Sequence, residues 1–389
     1  MIMPGRSTLR RRALAAGAVA AATALVFSTA PAVQAGPPPA PPSRATMEAT
    51  RGFDMLHPSR HPVVLRDAPR RLNVTYTHKG RKRTLEQFLA TTGTQGFVVL
   101  DAARGQEVVF ERYSLADRDT RFQSWSVAKS FTSAAVGVAL GEGAIDSIAD
   151  PVTKYLPELA GSGFDGVSIR DLLRMSSGIA WNEYFDVPPV HVAASLGSPL
   201  PAMAKLRKRA WKPGSRFEYT SMNSFVLAWL VSRTTGVPYH RYVEQKLWQP
   251  AGMEATVQLG NDSNGNSMGY CCYYATDRDY ARFGLLYLRG GRADGRQVVP
   301  ESWVRESTRP SASFNKDYGL HWWVGENGDF MATGLAGQHI YVSPKREVVI
   351  VKSTLATIIG EDETEAAFRA VAAEVARTRA SSRPGVPRS

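Results

Sequence analysis

The chain has 389 residues, of which 43% are apolar and 21% are charged, a balance typical of a globular protein with a substantial hydrophobic core. The formal net charge is +12, but no basic run is interleaved with aromatic residues and no nucleic-acid-binding motif is present, so we expect no nucleic-acid partner. No pair of His, Cys, Asp or Glu has the spacing of a metal motif such as H-E-x-x-H or C-x-x-C, and we expect no metal and no cofactor.

The only two cysteines, Cys271 and Cys272, are adjacent in the sequence. Adjacent cysteines do not form the framework of disulfides that crosslinks distant parts of many exported proteins. We interpret them as two small buried side chains within "YCCYY", and a strained vicinal disulfide is the alternative.

Residues 1–35 have the three parts of a secretory signal peptide. Basic "RSTLRRR" is followed by the apolar run "ALAAGAVAAATALVFSTA" and by "VQA", a small-residue cleavage site that ends at Ala35. The paired arginines are also a feature of twin-arginine signals. An uncleaved membrane anchor is the alternative, but the Pro-rich linker at 36–50 does not continue a helix and favours cleavage. We therefore predict a secreted or otherwise extracytoplasmic protein.

Cleavage would lower the formal net charge from +12 to +8, because residues 1–35 contain four arginines and no acidic residue. The remaining positive charge is spread along the chain, apart from a basic tail at 381–389 whose composition predicts disorder. This charge favours loose contact with an anionic cell envelope, and the oligomeric state is not indicated.

In chain order, residues 51–380 are predicted to form one domain. "TQGFVVLDAARGQEVVFERYS" predicts a β-hairpin, because two runs of strand-forming residues flank the turn "AARG". "QSWSVAKSFTSAAVGVALGEGAID" predicts a helix that ends near Gly141–Gly143. Mainly short helices and loops are expected from about 145 to 304, in "SIRDLLRMSSGI", "TSMNSFVLAWLVSRTTG", "DRDYARFGLLYLRGG" and "PESWVREST".

Strand patterns return in the last part of the domain. The four runs are "YGLHWWVGE", "DFMATGL", "QHIYVSP" and "EVVIVKSTL", and the amphipathic helix "EDETEAAFRAVAAEVARTR" follows them. We predict an α+β fold in which both chain ends build one antiparallel sheet, flanked by helices, with a mainly helical lobe inserted at about 145–304. The regular alternation of strands and helices that a doubly wound parallel sheet requires is missing.

Ser126 and Lys129 form an S-x-x-K motif at the start of the first long helix. Residues three apart lie on one face of a helix with Cβ atoms about 5–6 Å apart, so this pair is suited to be a nucleophile and its base. The helix dipole and the flanking apolar residues would lower the lysine pKa, as a base at neutral pH requires. An N-cap serine followed by a solvated lysine is the alternative, and spacing alone favours that simpler interpretation.

Two other serines have motif-like surroundings. Ser313 and Lys316 form a second S-x-x-K match, which lies in a polar stretch and is interpreted as a loop. "GNSMG" around Ser267 matches the G-x-S-x-G elbow, which requires a buried strand before it and a helix after it. A turn-rich "GNDSN" precedes it instead, although His321 and His339 follow in a usable chain order.

Tyr219 strengthens the case for Ser126. It lies at the mouth of the next long helix, and a Ser–Lys site gains from a second group that delivers a proton to the leaving group. In order and spacing, "SVAK", "YTS" and "ATG" resemble the S-x-x-K, Y-x-N and K-T-G motifs of the serine β-lactamase and penicillin-binding-protein superfamily, in its class C β-lactamase-like branch.

Longer segments extend this resemblance over about 96–351. "LLRMSSGIAW" and "TTGVPYHRYVEQKLWQPAGMEAT" are similar to segments of the class C-like branch. Within it, "SWSVAKSFTS", "YTS" and "AGQHIYVSP" resemble most the 6-aminohexanoate-dimer (nylon oligomer) hydrolase group and related esterases.

The sequence departs from the branch pattern at two places. Ser221 stands where Y-x-N has its asparagine, a substitution shared with the nylon-oligomer hydrolase group. Ala332, Thr333 and Gly334 stand where K-T-G is expected, so the lysine is absent. In β-lactam-processing members that lysine helps to hold the substrate carboxylate, and its loss favours a neutral or differently charged ester or amide.

The resemblance implies a role for each matching residue. Ser126 would be the acylated nucleophile, Lys129 its base, and Tyr219 the group that passes a proton to the leaving group. Ser221 would hydrogen-bond within this network. The oxyanion hole would be formed by the backbone N–H groups of Ser126 and Leu335, which follows "ATG".

Around these groups, Thr333 and Gly334 are expected to support substrate binding. Tyr184 in "WNEYFD" corresponds to a substrate-contacting tyrosine of the nylon-oligomer hydrolase group, with a surface aromatic as the alternative. Trp181 and His339 are interpreted as packing residues.

We therefore expect an exported serine hydrolase that acts on a small ester or amide without a cofactor. One alternative is a β-lactamase or D,D-peptidase acting on β-lactams or peptidoglycan peptides. Another is a non-catalytic wall-binding or sensor protein on the same fold, and a third is an α/β-hydrolase that uses Ser267.

Overall fold

The computed structural model describes residues 52–354 and 363–381. The predicted signal peptide at 1–35, the linker at 36–50 and nearly all of the basic tail at 381–389 therefore lie outside the described residues. Within the described part, no helix combines the length and the apolar character that crossing a lipid bilayer requires.

The strands are short in the middle of the chain and longer near both ends. In chain order they are β1 (Phe53–Leu56), β2 (Arg66–Asp67), β3 (Thr75–His78), β4 (Arg81–Thr84), β5 (Gly96–Asp101), β6 (Glu107–Tyr113), β7 (Phe122–Gln123), β8 (Val257–Gly260), β9 (Tyr273–Ala275), β10 (Arg292–Ala293), β11 (Arg296–Gln297), β12 (Trp323–Val324), β13 (Phe330–Gly334), β14 (Gln338–Ser343) and β15 (Val348–Ser353).

The helices occupy mainly the middle of the chain. They are α1 (Leu85–Thr91), α2 (Ala128–Gly141), α3 (Ile169–Leu173), α4 (Glu183–Ser195), α5 (Leu200–Lys205), α6 (Ser221–Thr235), α7 (Tyr239–Val243), α8 (Asp277–Leu288), α9 (Glu301–Ser307) and α10 (Thr364–Ser381). Two 3-10 turns also matter for the site: Trp125–Val127 leads into α2, and Leu335–Gly337 connects β13 to β14.

A seven-stranded sheet joins the two ends of the domain, in the order β12-β13-β14-β15-β5-β6-β2. The predicted hairpin forms as β5 and β6. β15 pairs with β5 along its whole length, from Val348 opposite Asp101 to Ser353 opposite Gly96. All neighbouring strands in this sheet are antiparallel except β2 and β6. The predicted α+β architecture, with one sheet built from both chain ends, is therefore confirmed.

Strands β5 and β15 are buried on both faces, which explains their nearly continuous apolar sequences. Successive side chains of a strand point to opposite faces, so Val98 and Val351 join the larger core, which includes α8 and the helical lobe. Val99 and Ile350 join a smaller core with α1 and α10. Gly284 lets α8 approach the sheet closely, because a Cβ at this position would clash with Val349.

The inserted lobe packs on α2, which precedes it in the chain and lies side by side with α6. All but the last two residues of α2 are buried, so the helix is enclosed rather than amphipathic. Serines in α2 fasten it to the segment before β12: Ser130 donates to the His321 carbonyl at 2.8 Å and Ser133 donates to the Leu320 carbonyl at 2.7 Å. The start of α2 is thus held rigidly beside the large sheet.

Two expectations need correction, and a second sheet was not foreseen. The region at 145–304 is mainly helical, as expected, and it also contains β8 and β9, which form a second sheet with β1 and β7 in the order β1-β8-β9-β7. These strands have two to four residues, too few to show an alternating pattern. Of "YGLHWWVGE", only Trp323–Val324 is a strand. Cys271 and Cys272 are joined as a vicinal disulfide, so the alternative interpretation applies rather than the preferred one.

Candidate active site

Ser126 lies in the middle of the 3-10 turn that leads into α2. The preceding residue, Trp125, has a φ of 44°, a left-handed conformation that non-glycine residues adopt mainly where the surroundings impose it. Ser124 fixes the turn to β9, since its N–H donates to the Tyr273 carbonyl at 2.7 Å and its Oγ accepts from the Tyr273 N–H at 3.0 Å. The side chain of Ser126 is half-buried and does not cap the helix, which makes the N-cap interpretation wrong.

Lys129 lies one helical turn after Ser126, and its Nζ is 2.7 Å from the Ser126 Oγ. The same Nζ donates to the Tyr270 carbonyl at 3.0 Å. Lys129 is 1% exposed, and burial lowers the pKa of its amine to about 8, partly opposed by the negative charge of Glu183. Roughly a tenth of the amine is then neutral at pH 7, against about one molecule in a few thousand for a free lysine.

Tyr219 lies just before α6, across the site from α2. Its ring stacks on Trp323 with a centroid distance of 5.9 Å and meets Tyr318 edge to face at 6.2 Å. The Lys129 Nζ is 5.0 Å from the Tyr219 ring centroid. Burial and the charge of Glu183 raise the pKa of the Tyr219 phenol, and the nearby Ser126 hydroxyl only partly opposes them. The phenol is therefore neutral at physiological pH and able to donate a proton.

Glu183 is a site residue that the sequence analysis missed. Its carboxylate accepts the Ser221 N–H at 2.9 Å, the Ser221 hydroxyl, and the Trp181 Nε1–H at 2.7 Å. Ser221 therefore bonds to Glu183, and Trp181 has a polar partner in addition to its packing role. An acidic residue in the first turn of a helix is common for dipole reasons alone, so the sequence held no signal that singled out Glu183.

The turn at Leu335 lies directly beside the Ser126 turn. A Cβ at Gly334 would clash with the Ser124 carbonyl oxygen, so only glycine permits this approach of the two backbones. β15 holds the turn in place: Lys352 donates to the Gly337 carbonyl at 3.1 Å, and Thr354 just after it donates to the Ala336 carbonyl. The structure therefore brings Leu335 to the same side as Ser126.

Two further predicted residues lie at the rim. Thr333 is half-buried, and among the residues that the structure describes its buried hydroxyl oxygen has no hydrogen-bond partner. Tyr184 is half-buried in the first turn of α4, close enough to influence the pKa of Tyr219. His339 instead packs on the far side of the sheet, where its ring is 5.7 Å from that of Phe368.

The rival serines are placed differently. Ser267 donates its hydroxyl to Asp54 at 2.9 Å and lies in the loop between β8 and β9, without the strand and helix that an elbow requires. Ser313 and Lys316 are exposed in a loop, as interpreted from the sequence. His321 bonds to Ser224 at 2.9 Å rather than to a nucleophile, and burial lowers its pKa to about 3.

Comparisons with known proteins show which family this chain belongs to. Residues 81–374 match the family model described as Beta-lactamase. A 6-aminohexanoate-dimer hydrolase of Paenarthrobacter ureafaciens is 34% identical over 294 residues, which cover 69% of this chain and 74% of that protein. A beta-lactamase of Pseudomonas fluorescens is 25% identical over 184 residues, 44% of this chain and 48% of that protein.

A solved structure from Bacillus anthracis, provisionally designated 6-aminohexanoate-dimer hydrolase, has a TM-score of 0.75 at 23% sequence identity and covers 85% of this chain and 92% of that chain. At that identity the likeness shows a shared fold. The family match over most of the chain shows more: the protein belongs to the β-lactamase family and is a serine hydrolase of the β-lactamase and penicillin-binding-protein fold. The family resemblance inferred from the motifs is confirmed.

Proposed function

We propose that the protein is an exported hydrolase that cleaves small esters or amides through an acyl-enzyme on Ser126. One observation carries the proposal: the Ser126 Oγ is 2.7 Å from the Nζ of a buried lysine whose pKa is lowered to about 8. Burial of a lysine destabilises its charged form, so a buried lysine points to a functional role. A neutral amine beside a half-exposed serine is the arrangement that activates a nucleophile.

In the first step, the neutral Lys129 amine accepts the Ser126 proton while Oγ attacks the substrate carbonyl. The backbone N–H groups of Ser126 and Leu335 would stabilise the negative oxygen that forms, and one such donor contributes about 2.7–4 kcal/mol of transition-state stabilisation. Tyr219 gives its proton to the departing alcohol or amine and regains one from the Lys129 ammonium. The products of this step are the acyl-enzyme, the free leaving group and a neutral amine.

In the second step, water loses a proton to the Lys129–Tyr219 pair and attacks the acyl carbon. The Ser126 Oγ then leaves with that proton, which releases the carboxylic acid and restores the starting state. Ser221 and Glu183 touch each other at the edge of this network and would hold the start of α6, and thus Tyr219, in position.

The substrate class follows from the walls of the site. Ala332 supplies no positive charge where β-lactam-processing members have the K-T-G lysine, so a substrate carboxylate would form no ion pair at this position. Tyr219, Tyr318 and Trp323 offer an aromatic wall, and Glu183 brings negative charge. These features favour a neutral or cationic acyl or leaving group, and the 34% identical relative makes the 6-aminohexanoate dimer a suitable amide to test.

The test compares wild type with Ser126→Ala on a short-chain nitrophenyl ester, the 6-aminohexanoate dimer and nitrocefin. We expect Ser126→Ala to lower kcat/KM at least a thousandfold on any substrate that is turned over, because the nucleophile is lost. Ser267→Ala is the matched control and should retain activity. A fluorophosphonate label on Ser267 instead of Ser126 would contradict the proposal, and efficient nitrocefin turnover would favour the β-lactamase alternative.

A further inference from the structure

The disulfide between Cys271 and Cys272 lies between two contacts that hold the candidate active site. The residue before it, Tyr270, accepts the Lys129 Nζ on its carbonyl. The residue after it, Tyr273, makes two hydrogen bonds with Ser124: its carbonyl accepts the Ser124 N–H, and its N–H donates to the Ser124 Oγ. The disulfide is also covered, since Cys271 is 4% and Cys272 is 2% exposed.

A histidine from a distant segment faces this pair. His191 lies on α4, and its Nδ1 is 4.0 Å from the Cys271 Sγ and 3.3 Å from the Tyr270 hydroxyl. One ligand atom from each of His191, Cys271 and Cys272 lies within 4.8 Å of the other two. His191 is eighty positions before Cys271 in the chain, which is why no metal motif is visible in the sequence.

A cavity gives access to this cluster. It has a volume of about 150 Å³, room for several water molecules or a hydrated cation, and both His191 and Cys272 line it. The other lining residues include Phe53, Met268 and Tyr274, so the cavity lies between α4 and the smaller sheet with its loops. Because Cys272 lines this cavity, we expect a small solute to reach the disulfide through it.

We propose that the reduced protein binds one thiophilic divalent cation between the thiolates of Cys271 and Cys272 and the imidazole of His191. Two thiolates and one imidazole form a soft ligand set of the kind that holds zinc or cadmium. Two adjacent residues whose sulfurs are able to bond to each other are also able to approach one metal ion, and His191 supplies a third ligand from another element. Three protein ligands leave a fourth position for water.

The chemistry requires a reducing step before the metal binds. A dithiol reductant transfers two electrons, the bond between the two sulfurs breaks, and each sulfur takes up a proton while the reductant becomes a disulfide. The cation then displaces both thiol protons as it binds. The oxidised protein, whose sulfurs are bonded to each other, offers no thiolate and should not bind the ion.

The experiment uses the full chain and Cd²⁺ as the probe. Wild type is reduced, the reductant is removed under anaerobic conditions, and the protein is checked for two titratable thiols. It is then titrated with Cd²⁺ while the thiolate-to-cadmium absorption is followed in the ultraviolet. We expect one Cd²⁺ per chain in the reduced protein and no absorption change in the oxidised protein. Two free thiols without a cadmium band would overturn the proposal, and so would a disulfide that resists reduction in the folded protein.

Variants test the ligand set. Cys272→Ser should abolish the band, and His191→Ala, which keeps both cysteines, should weaken Cd²⁺ binding at least tenfold, the loss that disturbing a metal site typically causes. His61→Ala removes an exposed histidine and should leave binding unchanged. Equal affinity in His191→Ala and wild type would refute the three-ligand site. This readout does not depend on hydrolysis, so its failure is distinguishable from failure of the proposed function.

Discussion

The two sides of the candidate active site are assembled in different ways. On one side, Ser126 and Lys129 are three residues apart and meet within a single helical turn. On the other side, Glu183, Tyr219 and Trp323 come from three distant segments and meet only in the folded chain. The comparison teaches that the proposed nucleophile and its base are encoded locally, whereas the surroundings that influence their protonation are encoded by the fold.

The two sides also respond to burial in opposite directions. Burial lowers the pKa of the Lys129 ammonium to about 8 and raises the pKa of the Tyr219 phenol, because in each case it disfavours the charged form. The effect on charge is the same for both: burial favours the neutral form of Lys129 and the neutral form of Tyr219 on the two sides of Ser126. The negative charge of Glu183 raises both pKa values, so it opposes the effect of burial at Lys129 and adds to it at Tyr219.

The largest expected effect comes from Lys129→Met, which keeps the apolar stem and removes the base. We expect kcat/KM on a nitrophenyl ester to fall at least a thousandfold while the protein becomes more stable at neutral pH. The lysine is protonated below pH about 10.5 in the unfolded chain but only below about 8 in the folded one. Burying the charge therefore lowers the free energy of unfolding of wild type, and this cost is fully present below pH 8. It amounts to roughly 3 kcal/mol, from which the hydrogen bonds that Lys129→Met loses must be deducted.

Kinetics and thermal unfolding at pH 7 would check both parts of that prediction. Lys316→Met, in the exposed second S-x-x-K match, is the matched control and should change neither activity nor stability. Retained activity in Lys129→Met would show that the local side of the site does not contain the base.

Tyr219→Phe tests the opposite side. It removes the hydroxyl and keeps the ring that stacks on Trp323, so the fold should persist. We expect kcat/KM to fall by about 10²–10⁴, the usual contribution of a positioned proton donor, and more for amides than for nitrophenyl esters, whose leaving group needs no proton. Equal losses on both substrate types would indicate a packing role for Tyr219. Tyr155→Phe, in a surface cluster with Asp150, should leave both rates unchanged.

Gly334→Ala tests how closely the two sides must approach. The added Cβ meets the Ser124 carbonyl, so the turn that carries Leu335 has to move away from Ser126. We expect about a hundredfold loss in kcat, because an oxyanion donor would be displaced, and a destabilisation of about 1–3 kcal/mol from overpacking. Steady-state kinetics with thermal unfolding would measure both, and a variant that is destabilised but fully active would exclude Leu335 from the oxyanion hole.

The smallest expected effect is a shift in the pH profile. Wild-type kcat/KM should rise as pH increases through about 8, because protonated Lys129 does not accept the Ser126 proton. Glu183→Gln removes the charge that opposes the lowering of the Lys129 pKa, so the midpoint of the rise should move to lower pH. Glu301→Gln, at an exposed position of α9, should not move it. A midpoint that stays in place or moves to higher pH in Glu183→Gln would show that Glu183 does not raise the pKa of the base.

The local side of the site and the long elements of the fold could be predicted from the sequence. The hairpin of β5 and β6, the strands β13, β14 and β15, and the helices α2, α6, α8 and α10 follow from strand-forming or apolar runs of five residues or more that are bounded by turn or capping residues. The sheet that joins β1, β7, β8 and β9 was missed because each strand has at most four residues, and its pairings connect segments far apart in the chain.

The opposite side could be predicted only through the family resemblance, and only where a motif existed. Tyr219 has a motif around it, whereas Glu183 and Trp323 do not. The disulfide of Cys271 and Cys272 was left as an alternative because adjacent cysteines are usually unbonded, and the left-handed φ of 78° at Cys272 is a tertiary feature that composition does not reveal.

The pairing of β15 with β5 has a consequence for how the protein is made. Gly96 and Ser353 are partners in the sheet, so the loop between them closes only after nearly the whole domain has left the ribosome. Long-range pairings of this kind slow folding, because the entropy of closing the loop is lost before the strand contacts form. The turn of Ser126 is synthesised early and the turn of Leu335 late, so we expect a nascent chain to remain inactive, and vulnerable to proteases, until its last strand is complete.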